Sequence, residues 1–351
     1  MTLKAIVLAM AGAAAMMAAP AMTAAQPAAQ SGGRPWYKRD WDPARVQPCD
    51  RACLVGFMDQ YLHALESKDR SGLPLAEQVW FTENTGRLDF SEGVLWRARI
   101  EPTAFRITVA DPQSGQVAVQ AVYRVQGAPA LVAIRLKVER RMITEVEQLL
   151  DRNVAPQAME LLQTPRPELL GDVPAKARNT REYMLYAANA YFDALTGENG
   201  EIAPFADDCV RHEQGYQTVY NKAPGRAAPS PNLPDLATPQ GRFMSQLSTM
   251  TCAQQISTKV FTGIRQIWPR RAVIDEQKGL VAIFPLFIHD GTRRPVEGEA
   301  LAPQGAMGMV TNLVTMETFG IRGGKIHEVE AFPFVTLPLG LGDGWTPAQT
   351  H

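Results

Sequence analysis

The densest group of chemically capable side chains is His212-Glu213-Gln214-Gly215-Tyr216, with Tyr220 four residues later. An imidazole titrates near neutrality, and burial raises a carboxyl toward the same range. Such a pair suits proton abstraction beside a carbonyl, dehydration or isomerisation, with Tyr216 or Tyr220 stabilising a developing oxyanion. His327 adds a second imidazole near the end of the chain. Strict alternation along a strand puts it on the face of Val329, with Glu328 opposite on the face of Ile326 and Glu330. His212, Glu213, Tyr216, Tyr220 and His327 are therefore the expected catalytic set. A local cap or ion pair is the structural alternative for Glu213, with His212 half exposed. Earlier in the chain, Glu83, Asn84 and Trp96 are expected to bind substrate.

Other chemistries find less support. His212, His289 and His327 are too scattered to read as a metal centre, and no HExxH or paired-cysteine spacing occurs. His289-Asp290 heads a turn and is expected to be exposed. Gly340-Leu-Gly-Asp-Gly344 precedes no helix, so it reads as a tail rather than a phosphate loop. Neither a P-loop nor a GxSxG elbow is present. No metal and no cofactor is expected.

Comparing the chain with itself shows what must position these groups. Residues 74–84 (PLAEQVWFTEN) align without gaps to 204–214 (PFADDCVRHEQ), and each follows an apolar helical pattern. Val109–Val119 matches Val273–Ile283, and Met142–Glu147 matches Lys325–Glu330. Three blocks in one order imply two copies of one unit, 50–152 and 180–345. A linker over 153–179 with four prolines separates them. His212 replaces Thr82 of the first copy and His327 replaces Thr144, which points to the second copy as the seat of the chemistry.

Within each copy the pattern runs helix first, strands afterwards. Phe57, Tyr61, Leu62 and Leu65 recur at helical spacing, as do Tyr183, Ala187, Tyr191 and Leu195. Gln116–Val125, Leu280–Ile288, Ala130–Arg140 and Val310–Ile321 read as strands. Arg322-Gly-Gly-Lys325 reads as a hairpin turn into a closing strand, Lys325–Phe332. Helices followed by antiparallel strands predict an α+β fold. A second-copy insertion, Ala223–Arg242, carries five prolines and suits a lid.

This order, ending in Arg322-Gly-Gly-Lys-Ile-His-Glu-Val-Glu330 and more weakly in Arg140–Glu147, resembles the NTF2-like, or SnoaL-like, superfamily. Phe81–Trp96 (FTEN, then EG and LW) is similar to an uncharacterised bacterial and fungal subset of it. The resemblance implies two cone-shaped α+β barrel units, each wrapping a sheet around an apolar pocket. It also implies acid–base chemistry by a few pocket side chains, or ligand and partner binding without turnover. Tandem copies suggest an intramolecular form of the sheet-to-sheet dimer common in that superfamily.

Composition bounds the partners. The 351 residues are 46% hydrophobic, and 35 Lys+Arg against 36 Asp+Glu leave a formal charge of −1. That balance excludes a mainly disordered chain and offers no basic stripe for nucleic acid. Met1–Ala25 carries Lys4, an alanine-rich apolar run and a small-residue cleavage site, which predicts a signal peptide. Export to the periplasm or beyond, with no membrane attachment after cleavage, follows as an expectation. An oxidising compartment lets disulfides persist, and local pairing joins Cys49 to Cys53 and Cys209 to Cys252. The expected function is a cofactor-independent lyase, dehydratase or isomerase acting on a small, largely apolar or aromatic molecule, in a chain that could self-associate. The alternative is a periplasmic ligand-binding or protein-interaction module without turnover.

Overall fold

The computed structural model describes residues 49–220, 237, 239–292, 310–338 and 341–345. The expected leader, most of the 223–242 insertion and Gly340 lie outside the described residues.

The chain opens with α1 (Arg51–Ser67), capped by the Asp50 side chain, which accepts from the Cys53 amide. Capping satisfies an amide that the first helical turn leaves without a partner. Strands β1 (Leu75–Glu83) and β2 (Gly86–Arg87) follow, then the single-turn α2 (Val94–Arg97). The meander β3 (Ile100–Asp111), β4 (Gln116–Val125), β5 (Ala128–Glu139) and β6 (Met142–Asp151) completes the first sheet. After α3 (Pro156–Leu161) the pattern recurs with α4 (Arg181–Thr196), whose cap is Thr180. Next come β7 (Phe205–Glu213), β8 (Tyr216–Gln217), α5 (Pro239–Thr249) and α6 (Cys252–Ser257). The closing meander is β9 (Ile264–Asp275), β10 (Leu280–Asp290), β11 (Val310–Arg322) and β12 (Lys325–Pro338).

Both sheets have the same strand order, β2-β1-β6-β5-β4-β3 and β8-β7-β12-β11-β10-β9. The segments 75–83 and 205–213 are strands that pair in parallel with the last strand of their own sheet. Local sequence pattern does not show this pairing, because the partners lie more than sixty residues apart. The α+β architecture matches the expectation from sequence.

Burial explains the layering. α1 covers one face of the first sheet through Leu54, Met58, Tyr61 and Leu65, and α4 covers the second sheet through Met184, Tyr191, Phe192 and Leu195. The two remaining sheet faces pack on each other, with Phe105 and Phe332 stacked at 5.7 Å. Two reciprocal contacts lock this junction. Arg51 pairs with Asp275 at 2.8 Å and Arg181 with Asp111 at 2.5 Å. Asp275 also accepts from the Ala110 amide, and Asp111 from the Ile274 amide. Each aspartate sits at the same place in its sheet and reaches across to the other half, as in an isologous contact.

Both cysteine pairs are bonded, Cys49 to Cys53 and Cys209 to Cys252. No helix among the described residues is long and apolar enough to cross a membrane.

Candidate functional site

His212 and Glu213 are consecutive in β7, so they emerge on opposite faces of the sheet and do not converge. His212 lies opposite Glu330 in the β7–β12 ladder, on the face turned away from α4. Arg166, from the segment joining the halves, donates to that Glu330 at 2.6 Å. Burial, reinforced by the Arg166 and Arg211 charges, pushes the His212 pKa down to about 3. The ring stays neutral across the physiological range.

The exchange of Thr82 for His212 has a packing explanation. In the first half Trp345 covers this position and donates from Nε1 to the Thr82 hydroxyl at 3.1 Å. In the second half Arg166 pairs with Glu330, the ladder neighbour of His212.

The other expected catalytic residues are also placed elsewhere. A register shift between Ile326 and Glu328 breaks the alternation that would have aligned His327 with Val329. Its Nδ1 lies 2.7 Å from the exposed Asp208 carboxylate instead. Tyr216 packs between the sheets with Ala158 and Leu162. Tyr220, at φ 52°, donates its backbone amide to the Met250 carbonyl at 2.7 Å.

In the first half the expected binding groups serve the protein. Glu83 accepts from the Val94 and Leu95 amides at 2.6 and 3.1 Å, capping α2. Asn84 makes a two-way bond with the Leu150 backbone at 3.0 and 2.7 Å. Trp96 donates to the Tyr61 hydroxyl at 3.1 Å.

A different set meets on the face of the second sheet beneath α4. Arg211 donates from Nε to the Tyr191 hydroxyl at 3.0 Å, from Nη1 to Thr218 Oγ1 at 3.1 Å and from Nη2 to Glu213 at 2.9 Å. On β11 this face carries Thr315 and Glu317, both buried. Glu317 Oε2 and Thr315 Oγ1 have no hydrogen-bond partner among the described residues. Burial pushes the Glu317 pKa up to about 7, with Glu213 adding to the rise, while Arg211 and the Tyr191 and Thr315 hydroxyls oppose it. Tyr191 is held well above the ordinary phenol range by burial, so it is a neutral donor. Phe192 and Phe319, edge-on to each other at 5.6 Å, supply apolar surroundings.

The first half keeps an acid on this face, Glu83 at the place of Glu213, but has neither the arginine nor the second acid. The ladders place Phe81 where the second half has Arg211, Ile134 where it has Glu317 and Val132 where it has Thr315. Around the tyrosine that both halves share, Tyr61 and Tyr191, three apolar positions have become Arg211, Thr315 and Glu317. The sequence carries a trace of this outside the aligned blocks, since a single acid stands inside the otherwise uncharged Val310–Ile321 run.

His289 shares this face farther along and is 1% exposed, against the expectation of an exposed turn. It stacks on Phe287 at 6.3 Å, and burial lowers its pKa. Among the described residues, no group of three or more His, Cys, Asp or Glu side chains could hold a metal ion.

A cystatin-like protein of unknown function from Methylobium petroleophilum PM1 is 12% identical with a TM-score of 0.26, the match covering 31% of this chain and 83% of that one. An NTF2-like protein of unknown function from Cytophaga hutchinsonii ATCC 33406 is 16% identical with a TM-score of 0.23, covering 30% of this chain and 94% of that one. No curated protein matches. Residues 177–333, which contain α4 and the whole Tyr191–Arg211–Glu317 constellation, match the family model of a domain of unknown function, DUF8021.

Proposed function

We propose that the second half is an NTF2-like acid–base domain, with Glu317 as the proton carrier in a cofactor-independent lyase, dehydratase or isomerase reaction. One observation carries this reading: a buried carboxyl beneath α4 beside Tyr191 and Arg211, one of its oxygens without a hydrogen-bond partner among the described residues, in surroundings that push its pKa up to about 7. At neutral pH such a group exists in both protonation states, which suits taking a proton and returning it elsewhere. The Thr315 hydroxyl, on the same strand, faces the carboxyl and is a second polar group beside it. Arg211 supplies positive charge nearby in a desolvated setting, where it acts most strongly on developing negative charge. The substrate class is small, uncharged and largely apolar or aromatic, because Glu213 already neutralises Arg211 and the remaining walls are apolar. The two disulfides favour a chain that matures in the periplasm or outside the cell.

A second reading, ligand binding without turnover, is favoured by one feature: all three Arg211 nitrogens already donate within the protein.

Exchange of α-hydrogens of 2-tetralone and 1-indanone into D2O, followed by proton NMR, tests the first reading without knowledge of the natural substrate. The wild type is expected to accelerate exchange and Glu317→Gln to lose at least about 100-fold of that acceleration, the scale of a general base. Full exchange by Glu317→Gln overturns it. No exchange, with saturable binding of 2-naphthol by fluorescence, supports the second reading.

A further inference from the structure

The second half carries apparatus that the first half lacks. Between β8 and β9 lie α5 and α6, where the first half has only α2 between β2 and β3. The Cys209–Cys252 disulfide joins β7 to the first residue of α6, and Cys209 corresponds to Val79 in the gapless alignment. One helical turn beyond Cys252, the buried Gln255 donates from Nε2 to the Thr218 carbonyl at 2.7 Å and to the Leu247 carbonyl at 3.2 Å. One side-chain amide thereby clamps α5 and the segment after β8 together.

Thr218 in turn wraps Arg211. Its amide and hydroxyl donate to the Arg211 carbonyl at 2.8 and 3.1 Å, and its Oγ1 accepts from Arg211 Nη1. The guanidinium also lies over the Phe261 ring, 5.6 Å from its centroid. An arginine side chain has several rotatable bonds and gains little from a charge it visits only part of the time. Fixing its fork in one geometry is what lets its field act steadily on a neighbouring carboxyl. The apparatus occurs in the half that has Arg211 and is absent from the half that has Phe81.

We propose that Gln255, held by the Cys209–Cys252 disulfide, is a positioning residue that fixes Arg211 through Thr218 and so governs the protonation of Glu317. This rests on the acid–base reading of Glu317 given above. The groups facing Glu317 are Arg211 and Glu213 from β7, Tyr191 from α4 and Thr315 from its own strand. Its ladder neighbours Ile283 and Ala331 do not titrate. Arg211 is the one cation among them, so loosening it leaves burial and Glu213 less opposed.

The disulfide forms from two thiols, with two electrons and two protons passing to an external disulfide by thiol–disulfide exchange. Both cysteines are nearly fully buried, which suits a bond made once during maturation.

The test is a pH titration of the Glu317 carboxyl by 13C NMR on the full chain labelled at glutamate side-chain carboxyls, the resonance assigned by its loss in Glu317→Gln. Gln255→Leu and Thr218→Val are expected to raise the midpoint by about one pH unit, at the low end for losing an opposite charge. The Cys209→Ser/Cys252→Ser variant should do the same, and Cys49→Ser/Cys53→Ser should not. Gln255→Leu and Thr218→Val proteins with wild-type near-UV circular dichroism and an unmoved midpoint would overturn the proposal. A wild-type midpoint at the ordinary 4.5 would instead sink the acid–base reading, whatever the variants do.

Discussion

Replacing Glu317 by Gln should make the protein more stable, and increasingly so as the pH rises. The carboxyl has an ordinary pKa of 4.5 in an unfolded chain and about 7 in the fold. Because the folded value is the higher one, the folded state keeps the proton over that interval while the unfolded state has lost it. Stability contributed by this group is therefore complete below pH 4.5 and lost as pH rises through 7. At about 1.4 kcal/mol for each pH unit, the loss reaches about 3 kcal/mol by pH 8.5. Gln is nearly isosteric and cannot ionise, so the variant escapes it.

Urea denaturation with the disulfides intact, at pH 4, 5.5, 7 and 8.5, reads the effect as a difference between the two proteins, in which other titrating groups largely cancel. The expected curve starts from a constant offset at pH 4 and climbs by about 3 kcal/mol. A flat difference would refute the reasoning, since it would mean that folding leaves this carboxyl where it was. The first half already shows an uncharged solution at this position, Ile134, with no exposure at all. Keeping a carboxyl here at such a cost fits a functional site, where stability is commonly given up for activity.

Three further outcomes follow. His212→Thr should leave ketone exchange intact. It should also remove a loss of about 1–2 kcal/mol at pH 5, because a histidine whose folded pKa lies below 6.5 destabilises the fold as pH falls beneath that value; parallel urea curves for variant and wild type would contradict this. Glu83→Ala should cost about 2 kcal/mol in chemical denaturation through two lost amide contacts, without altering the Glu317 titration. Asp111→Asn and Asp275→Asn should each cost about 3 kcal/mol, because each leaves a cross-half arginine without its buried partner. A large effect from one and none from the other would break the reciprocity of the junction.

Much of the scaffold was legible in the residues. Apolar spacing around Tyr61 and Tyr191 marked both long helices, alternation marked the meanders, and the turn glycines marked the closing hairpin. The aligned aspartates of Val109–Val119 and Val273–Ile283 were visible too, although their role in joining the halves was not. The site was legible only in part. Arg211, His212 and Glu213 all lie inside one aligned block, and residue type alone favours the histidine between them. Glu317 stands outside every aligned block, and only strand pairing connects it to β7.

The sequence alone determined the α+β class and the division into a helix-led first half and a helix-led second half, and it favoured the local one of three possible cysteine pairings. These depend on near-neighbour periodicity and on loop closure between residues close in the chain. Tertiary structure alone decided which face of β7 meets α4, that β1 and β7 pair in parallel with distant strands, and that Glu317 is buried beside Arg211 and Tyr191 while His212 lies on the opposite face. Charge energetics depend on burial and on groups brought together from β7, α4 and β11, and no spacing along the chain encodes that desolvation.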